Sequence, residues 1–447
     1  AMQTSQPDSS AYNMVGGFII DGALNRHALG QAFVDLINRH EILRTRFVAR
    51  AGVPEQVVDP PIVNFDLFEI TFPLGDTETA ITHGLSPEFT YVFDLAQGPL
   101  LRAGLGRLGK ESWLLVLNLH HIISDGWSVP IMMADLSSFY ANCMGAKESE
   151  LPEPLAIHYR DFACWQAAEP ALGILDAAHE HWTERFGAGV PVTSLTTDVQ
   201  RPMQRSGTGW ILRHKLDAAT SASLRTQLSR KGTTLFTVSA AVLHILLRLR
   251  GAGDGATVIG TADAGRNLIE IEDQLGFYLN LVPHVLNLDA ERPLSDWLHA
   301  SMIETGAMLG HKSAPFEKML DALELRTEPG HNPVFDILLL VQNNAAIGAN
   351  LGQHSIRALP DQTRTARYDL NLMVEDFSEI ELVLEYDTAL FNKGTVEWIL
   401  KDFVLLLEGF VNDLDRSPLD LLTTTDSVQS DKEIGLLDAD DPLLGGL

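Results

Sequence analysis

The sequence predicts an α/β protein built as two lobes, and three observations carry that expectation. The chain has 447 residues, more than one ordinary hydrophobic core accommodates. Helical and strand periodicities alternate in both halves. Between about 169 and 210 the pattern breaks at Pro170, Gly173, Gly187, Gly189, Pro191, Pro202, Gly207 and Gly209, as a connection between lobes would. The expected organisation is a first lobe over 1–172, a second over 173–425, and an acidic, periodless linker or flexible tail over 426–447.

In the first half, Asn25 caps a predicted helix whose apolar face is Leu29, Phe33, Leu36 and Ile37, ending near His40. Leu43 to Val48 alternates like a strand. Residues 113–119 are continuously apolar except for Asn118 and read as a fully buried strand. Past an Asp-Gly turn, Pro130 opens a helix carrying Met132, Leu136, Phe139 and Tyr140, and another helix covers about Tyr159 to Ala168. In the second half, helices are expected at 218–230, 234–249, 293–309 and 393–412. Strands are expected at 257–262, 278–286, 334–342, 368–375 and 379–387.

Composition narrows the partners. Apolar residues make up 45% and charged residues 20%, an ordinary globular balance, but 32 basic against 59 acidic side chains give a net charge of −27. That field disfavours nucleic acid and anionic membranes, with Arg201, Arg205, Arg213 and Lys215 as a candidate local basic patch. Only Cys143 and Cys164 are present, which fits a reducing cytoplasm; their apolar helical surroundings predict buried thiols. The apolar run from Leu235 to Leu249 is too short and too mixed to span a bilayer, so a soluble cytoplasmic protein is expected.

The chemistry concentrates in Asn118-Leu119-His120-His121-Ile122-Ile123-Ser124-Asp125-Gly126-Trp127-Ser128. Successive side chains on a strand point to opposite faces, so of two adjacent histidines one is held inside and the other presented. Asp125 in the following turn needs a partner, because a buried lone carboxylate is costly. Gly126 permits close backbone approach, and N–H groups at the following helix start could face a developing oxyanion. The pattern suits acyl transfer. A zinc site is the competing chemistry and is rejected, because adjacent strand histidines diverge. No Gly-x-Ser-x-Gly elbow and no phosphate-cradling Gly-x-x-x-x-Gly-Lys loop occurs.

His120-His121-x-x-x-Asp125-Gly126 resembles the HHxxxDG signature of nonribosomal peptide synthetase condensation domains, which belong to the chloramphenicol acetyltransferase-like superfamily. Further stretches resemble other motifs of that family, in its order: Arg39 to Phe47 (RHExLRTxF), Tyr159 to Gln166 (YxDFAxWQ), Gly276 to Leu281 (GxFVNT, last threonine replaced), His311 to Glu317 (HxxxPFE) and His331 to Phe335 (RNPLF, arginine lost). The family's first motif, LWxLDQL after an Ala-Gln-rich segment, has no counterpart before Ser10-Ala11-Tyr12-Asn13. Trp127 favours peptide-bond formation over the epimerisation relatives, which resemble HHxxxDGVSW.

The resemblance implies two chloramphenicol acetyltransferase-like lobes forming a V-shaped pseudodimer with an inter-lobe tunnel. It implies amide bond formation between a donor acyl thioester and an acceptor amine. Each is carried on the phosphopantetheine arm of a peptidyl carrier protein, with adenylation domains as neighbours. No tightly bound cofactor or metal is implied, and a monomer is expected. By carry-over His121 is the active-site imidazole, acting either as general base or by orienting the amine and stabilising the tetrahedral zwitterion. An ordinary imidazole pKa of about 6.5 suits both roles. Gly126 keeps the tunnel open and offers backbone to the oxyanion, and His120 braces the loop. Asp125 is structural and pairs with Arg266, in Ala264-Gly265-Arg266, from the opposite lobe. Arg39, Glu41 and Arg44 read as a structural ion network, and Tyr159, Asp161 and Trp165 as packing. Three alternatives stand beside this reading: a free-standing acyltransferase using coenzyme A thioesters or an alcohol acceptor, a non-catalytic module recruiting carrier proteins, and an epimerase.

Overall fold

The computed structural model describes residues 10, 12–72, 77–146, 151–173, 175–191, 194–251, 255–325, 328–343, 350–359, 365–426 and 436–438. In chain order the elements are β1 (Asn13–Asp21), α1 (Arg26–Arg39), β2 (Thr45–Arg50), β3 (Val53–Val58), β4 (Phe68–Ile70), α2 (Thr77–Phe89), β5 (Leu101–Arg107), β6 (Ser112–His120), α3 (Ser128–Cys143) and α4 (Tyr159–Leu172). There follow α5 (Asp176–Phe186), β7 (Gly209–Lys215), α6 (Ala218–Arg230), α7 (Leu235–Arg250), β8 (Thr257–Asp263), β9 (Asn280–Leu286), α8 (Leu294–His311) and α9 (Phe316–Leu323). The last are β10 (Ile337–Gln342), β11 (Asn350–Leu351), β12 (His354–Ala358), β13 (Leu370–Asp376), β14 (Ile380–Asp387), α10 (Lys393–Asn412), α11 (Pro418–Asp426) and β15 (Leu436–Asp438).

The chain divides into two compact units, the first comprising 1–172, 264–279 and 345–361 and the second the remainder. The first is built on a sheet of order β11-β12-β1-β6-β5-β4, in which β6 runs antiparallel to both β1 and β5. Leu115, Leu117 and Leu119 of β6 pack with Phe33 and Leu36 of α1 and with Met132 and Leu136 of α3. Leu114 and Val116, on the other face, meet Ile81 and Leu85 of α2. Burial on both faces is why this run lacks the polar alternation of a half-exposed strand, and each such leucine contributes about 1.5–3 kcal/mol. The Asn25 side chain accepts hydrogen bonds from the His27 and Ala28 amides and so starts α1 where the capping rule places it.

The second unit carries a seven-stranded sheet of order β15-β7-β14-β13-β10-β8-β9, with β10 parallel to β13 and β8. Val238, Val242 and Leu246 of α7, Leu372 and Leu384 of the sheet, and Phe403 and Phe410 of α10 share one core. Trp182 and Phe186 of α5 cover the other face with Val258, Val282 and Leu338. Among the described residues no single helix is long and apolar enough to cross a membrane.

Several sequence expectations are corrected. The second lobe is not continuous, because 264–279 and 345–361 pack with the first unit. The breaker-rich stretch 169–210 holds helix α5, whose Trp182 and Phe186 are buried core residues. Residues 436–438 of the expected tail form β15 against β7, while 427–435 and 439–447 lie outside the described residues, as does the segment before Ser10. Leu43 and Arg44 belong to a 3-10 turn (Glu41–Arg44) that precedes β2. The candidate basic patch is neutralised: Arg201 and Arg205 pair with Asp369 and Asp336, Arg213 with Glu381 and Lys215 with Glu379. Cys164 is exposed rather than buried, and Cys143 is half-buried with its thiol pKa pushed up by desolvation.

Candidate active site

The strand β6 ends one residue earlier than the histidine pair suggests. His120 is its last residue, in register with Asn13 of β1, and His121 opens a 3-10 turn over His121–Ile123. The two imidazoles therefore diverge because the backbone turns between them, not because a strand alternates. His120 is 3% exposed, and its Nδ1 accepts the Ile122 amide at 3.1 Å, so it caps the turn. Its ring lies edge-on to Phe93 with centroids 6.0 Å apart. His121 donates its backbone N–H to Tyr12 O at 2.8 Å, which fixes the start of the turn, and its side chain is half-buried.

Asp125 sits four residues on and is 1% exposed. Its Oδ2 accepts from Arg266 Nη1 at 2.8 Å and from the Tyr278 amide at 3.1 Å. Its Oδ1 accepts from Arg266 Nη2 at 3.0 Å, from the Ser128 amide at 2.9 Å and from Ser128 Oγ at 2.8 Å. Arg266 answers in kind: the side chains of both partners are 2% exposed, and its guanidinium also donates to Ala264 O and Gln274 O and lies 4.5 Å from the centroid of the Tyr278 ring. A two-pronged pair with further hydrogen bonds to both carboxylate oxygens and both Nη atoms is the geometry in which a buried ion pair can be held, although Arg266 Nε has no hydrogen-bond partner among the described residues. Gly265 makes it reachable, with φ +67°, where an added Cβ would stand 1.9 Å from Tyr278 O.

The segment Gly276-Phe277-Tyr278 is fastened to this frame through its backbone. Gly276 N lies 3.2 Å and Gly276 O 3.1 Å from Ser128 Oγ, Phe277 O accepts from Tyr159 Oη at 2.9 Å, and the Tyr278 amide is held by Asp125. Gly276 is a glycine for space: a Cβ there would meet the Tyr159 ring at 2.3 Å. Tyr278 Oη bonds Gln274 Oε1 at 2.6 Å, and burial above all pushes its phenol pKa well upward, so it acts as a neutral donor. The Phe277 ring meets the His121 imidazole edge to face, with centroids 5.1 Å apart.

The predicted site residues thus fall together: His120, His121, Asp125, Gly126 and Arg266 all belong to the first unit. Arg266 is not a solvated charge and does not come from the opposite lobe in space, although it comes from the second half of the chain. Gly126 is exposed, has no positive φ, and an added Cβ would meet nothing within 4 Å, so the space beside it is open. The Ser128 amide at the helix start is occupied by Asp125. Trp127 is 41% exposed. Arg39 pairs with Asp135, which also holds buried His40, whose pKa desolvation lowers; Glu41 pairs with Arg44 and Arg160. Trp165, expected to pack, is exposed, whereas Tyr159 has the positioning bond to Phe277 O. Sequence reasoning missed Ser128, Gln274, Phe277 and Tyr278. Phe277 and Tyr278 lay inside the Gly276–Leu281 motif without a role being read from it, and Ser128 had a local signal, since Asp-x-x-Ser lets a turn carboxylate cap a helix start.

The family described as Condensation domain matches residues 1–432. Tyrocidine synthase 3 of Brevibacillus parabrevis is 31% identical over 406 residues, 90% of this chain and 6% of that protein. Malpinin synthetase of Mortierella alpina is 33% identical over 396 residues, 87% of this chain and 5% of that protein. The chain therefore spans a small fraction of the length of these curated relatives. Among solved structures, the X-domain from teicoplanin biosynthesis superposes with TM-score 0.82 at 23% identity, covering 93% of this chain and 94% of that one. The first condensation domain of the calcium-dependent antibiotic synthetase, in complex with a substrate analogue, gives 0.75 at 18% identity, covering 94% and 95%. On these grounds the chain belongs to the condensation-domain family of nonribosomal peptide synthetases.

Proposed function

We propose that the chain catalyses amide bond formation between a donor acyl thioester and an acceptor amine, each carried on the phosphopantetheine arm of a carrier protein. The observation that carries this reading is the contrast within one loop: Asp125 is held by Arg266, Ser128 and Tyr278, while His121 is half-buried and Gly126, five residues on, has open space at its Cβ position. In the reaction the acceptor nitrogen attacks the thioester carbonyl, the C–N bond forms, the C–S bond breaks, and the pantetheine thiol leaves with a proton. The nitrogen's surplus proton needs an acceptor, or the zwitterion a stabilising dipole, and an imidazole such as that of His121 can supply either. His120 caps the turn, and Asp125 with Arg266 holds the loop in place.

The test loads two carrier proteins from a matrix of proteinogenic aminoacyl groups and detects the dipeptidyl acceptor by intact-protein mass spectrometry. The pair that turns over is repeated with His121→Ala, which is expected to lose about 10²- to 10⁴-fold in rate while its unfolding transition stays in place. Full activity in that variant overturns the assignment. A coenzyme A thioester donor is run beside the carrier-borne one, and preference for it would favour a free-standing acyltransferase. A second reading, a module that only recruits other proteins, draws on the likeness to an X-domain whose solved complex contains OxyB. Carrier binding with no condensation for any pair would favour it.

A further inference from the structure

We infer that Phe277 is the positioning residue for the His121 imidazole, an inference that rests on the catalytic reading of His121 given above. The segment that bears Phe277 is held with unusual completeness. The Gly276 N–H donates to Ser128 Oγ, and Gly276 lies under the Tyr159 ring; the Phe277 carbonyl is taken by Tyr159 Oη, and the Tyr278 amide by Asp125. Tyr278 turns inward to Gln274 and the Arg266 guanidinium. Phe277 is the one side chain of the three that is half-buried rather than absent or buried, and it stands at 88° to the His121 ring at 5.1 Å. This lies within the separation at which edge-to-face aromatic pairs attract.

The consequence is mechanical. An aromatic partner on a segment fixed by three backbone bonds favours one orientation of the His121 ring, because leaving the edge-to-face well costs attraction. The same Asp125 that accepts from Ser128 and Arg266 also fixes the Phe277 segment, so loop and ring are registered to each other by one carboxylate. Phe277 does not touch the reacting atoms in this account; it acts through His121.

Two variants separate a ring contact from simple filling: Phe277→Leu keeps apolar volume without the ring, and Phe277→Tyr keeps the ring. With the carrier pair that turns over, Phe277→Leu is expected to lower kcat about 2- to 10-fold with KM for both carriers unchanged, and Phe277→Tyr to restore it. In ¹H–¹³C spectra, the His121 ring resonances, assigned by their loss in His121→Gln, are expected to leave their ring-current-shifted positions in Phe277→Leu and keep them in Phe277→Tyr. Wild-type kcat in Phe277→Leu, a change confined to KM, or unmoved His121 resonances would overturn the inference. Full activity of His121→Ala in the same assay would instead overturn the catalytic reading, and the two failures are read from different variants.

Discussion

Each unit of this protein holds a pair of groups that could carry charge deep in an α/β layer, and the two pairs are built on opposite principles. In the first unit Asp125 and Arg266 face each other as an ion pair: two N–H···O bonds join them, the Tyr278 amide donates to the carboxylate, and the Gln274 carbonyl accepts from the guanidinium. In the second unit His244 and His284 are both fully buried, 3.0 Å apart, and flanked by Thr257 and Thr305. Among the described residues no carboxylate completes that chain. Desolvation pushes His244 far down and His284 to about 4, so both rings are neutral. The difference teaches that equal burial can be met in two ways: by a two-pronged counter-ion in the first unit, and by a second imidazole and hydroxyls in the second. His244 and His284 are thereby committed to packing, whereas His121, the imidazole of the proposed function, is half-buried.

The comparison can be broken first at the ion pair. Arg266→Ala leaves Asp125 buried without its cation and is expected to destabilise the first unit by about 3–5 kcal/mol, read as a lowered urea midpoint. Arg266→Lys should rescue little, since a point charge cannot span both carboxylate oxygens and the Gln274 carbonyl. An unchanged midpoint in Arg266→Ala would mean the pair is dispensable.

Acid tests the second unit. Because the folded pKa of His284 is depressed to about 4, the unfolded chain binds its proton near 6.5 while the folded chain does not. The stabilisation is therefore complete above about pH 6.5 and is lost as pH falls from there toward 4, on the order of 3 kcal/mol for this group. Hydrogen exchange of β9 amides at pH 7, 6, 5 and 4 should show the loss, and a His244→Leu/His284→Leu variant should flatten it. A wild-type profile with no slope in this window would refute the neutral-pair reading.

The smallest effect sharpens the first unit's geometry. Gly265→Ala must adopt a left-handed backbone and would meet Tyr278 O, so a loss of about 1–3 kcal/mol is expected in thermal unfolding. A neutral outcome would mean the Ala264–Arg266 turn adapts.

What was legible in the sequence is what local chemistry writes. The Asn25 cap, the apolar stripe of α1, the doubly buried run of β6 and the long helices α7 and α10 follow from periodicity and capping, which need no distant partner. The histidine pair, Asp125, Gly126 and, through resemblance, Arg266 were also legible as residues. Weak or short elements escaped: β4 has three residues, and β12 reaches β1 across more than half the chain, so only pairing reveals either.

By itself, the sequence determined which residues are available for chemistry and which apolar faces must be covered, because side-chain type and spacing are properties of the chain. Only the tertiary structure decided their company. It ended β6 at His120 so that a turn, not strand alternation, separates the imidazoles. It drew 264–279 into the first unit, so that Arg266 meets Asp125 and Phe277 meets His121, contacts between residues that lie far apart along the chain. It also left Cys164 and Trp165 exposed on a helix whose sequence reads as apolar, because a helical face is buried only where something packs against it.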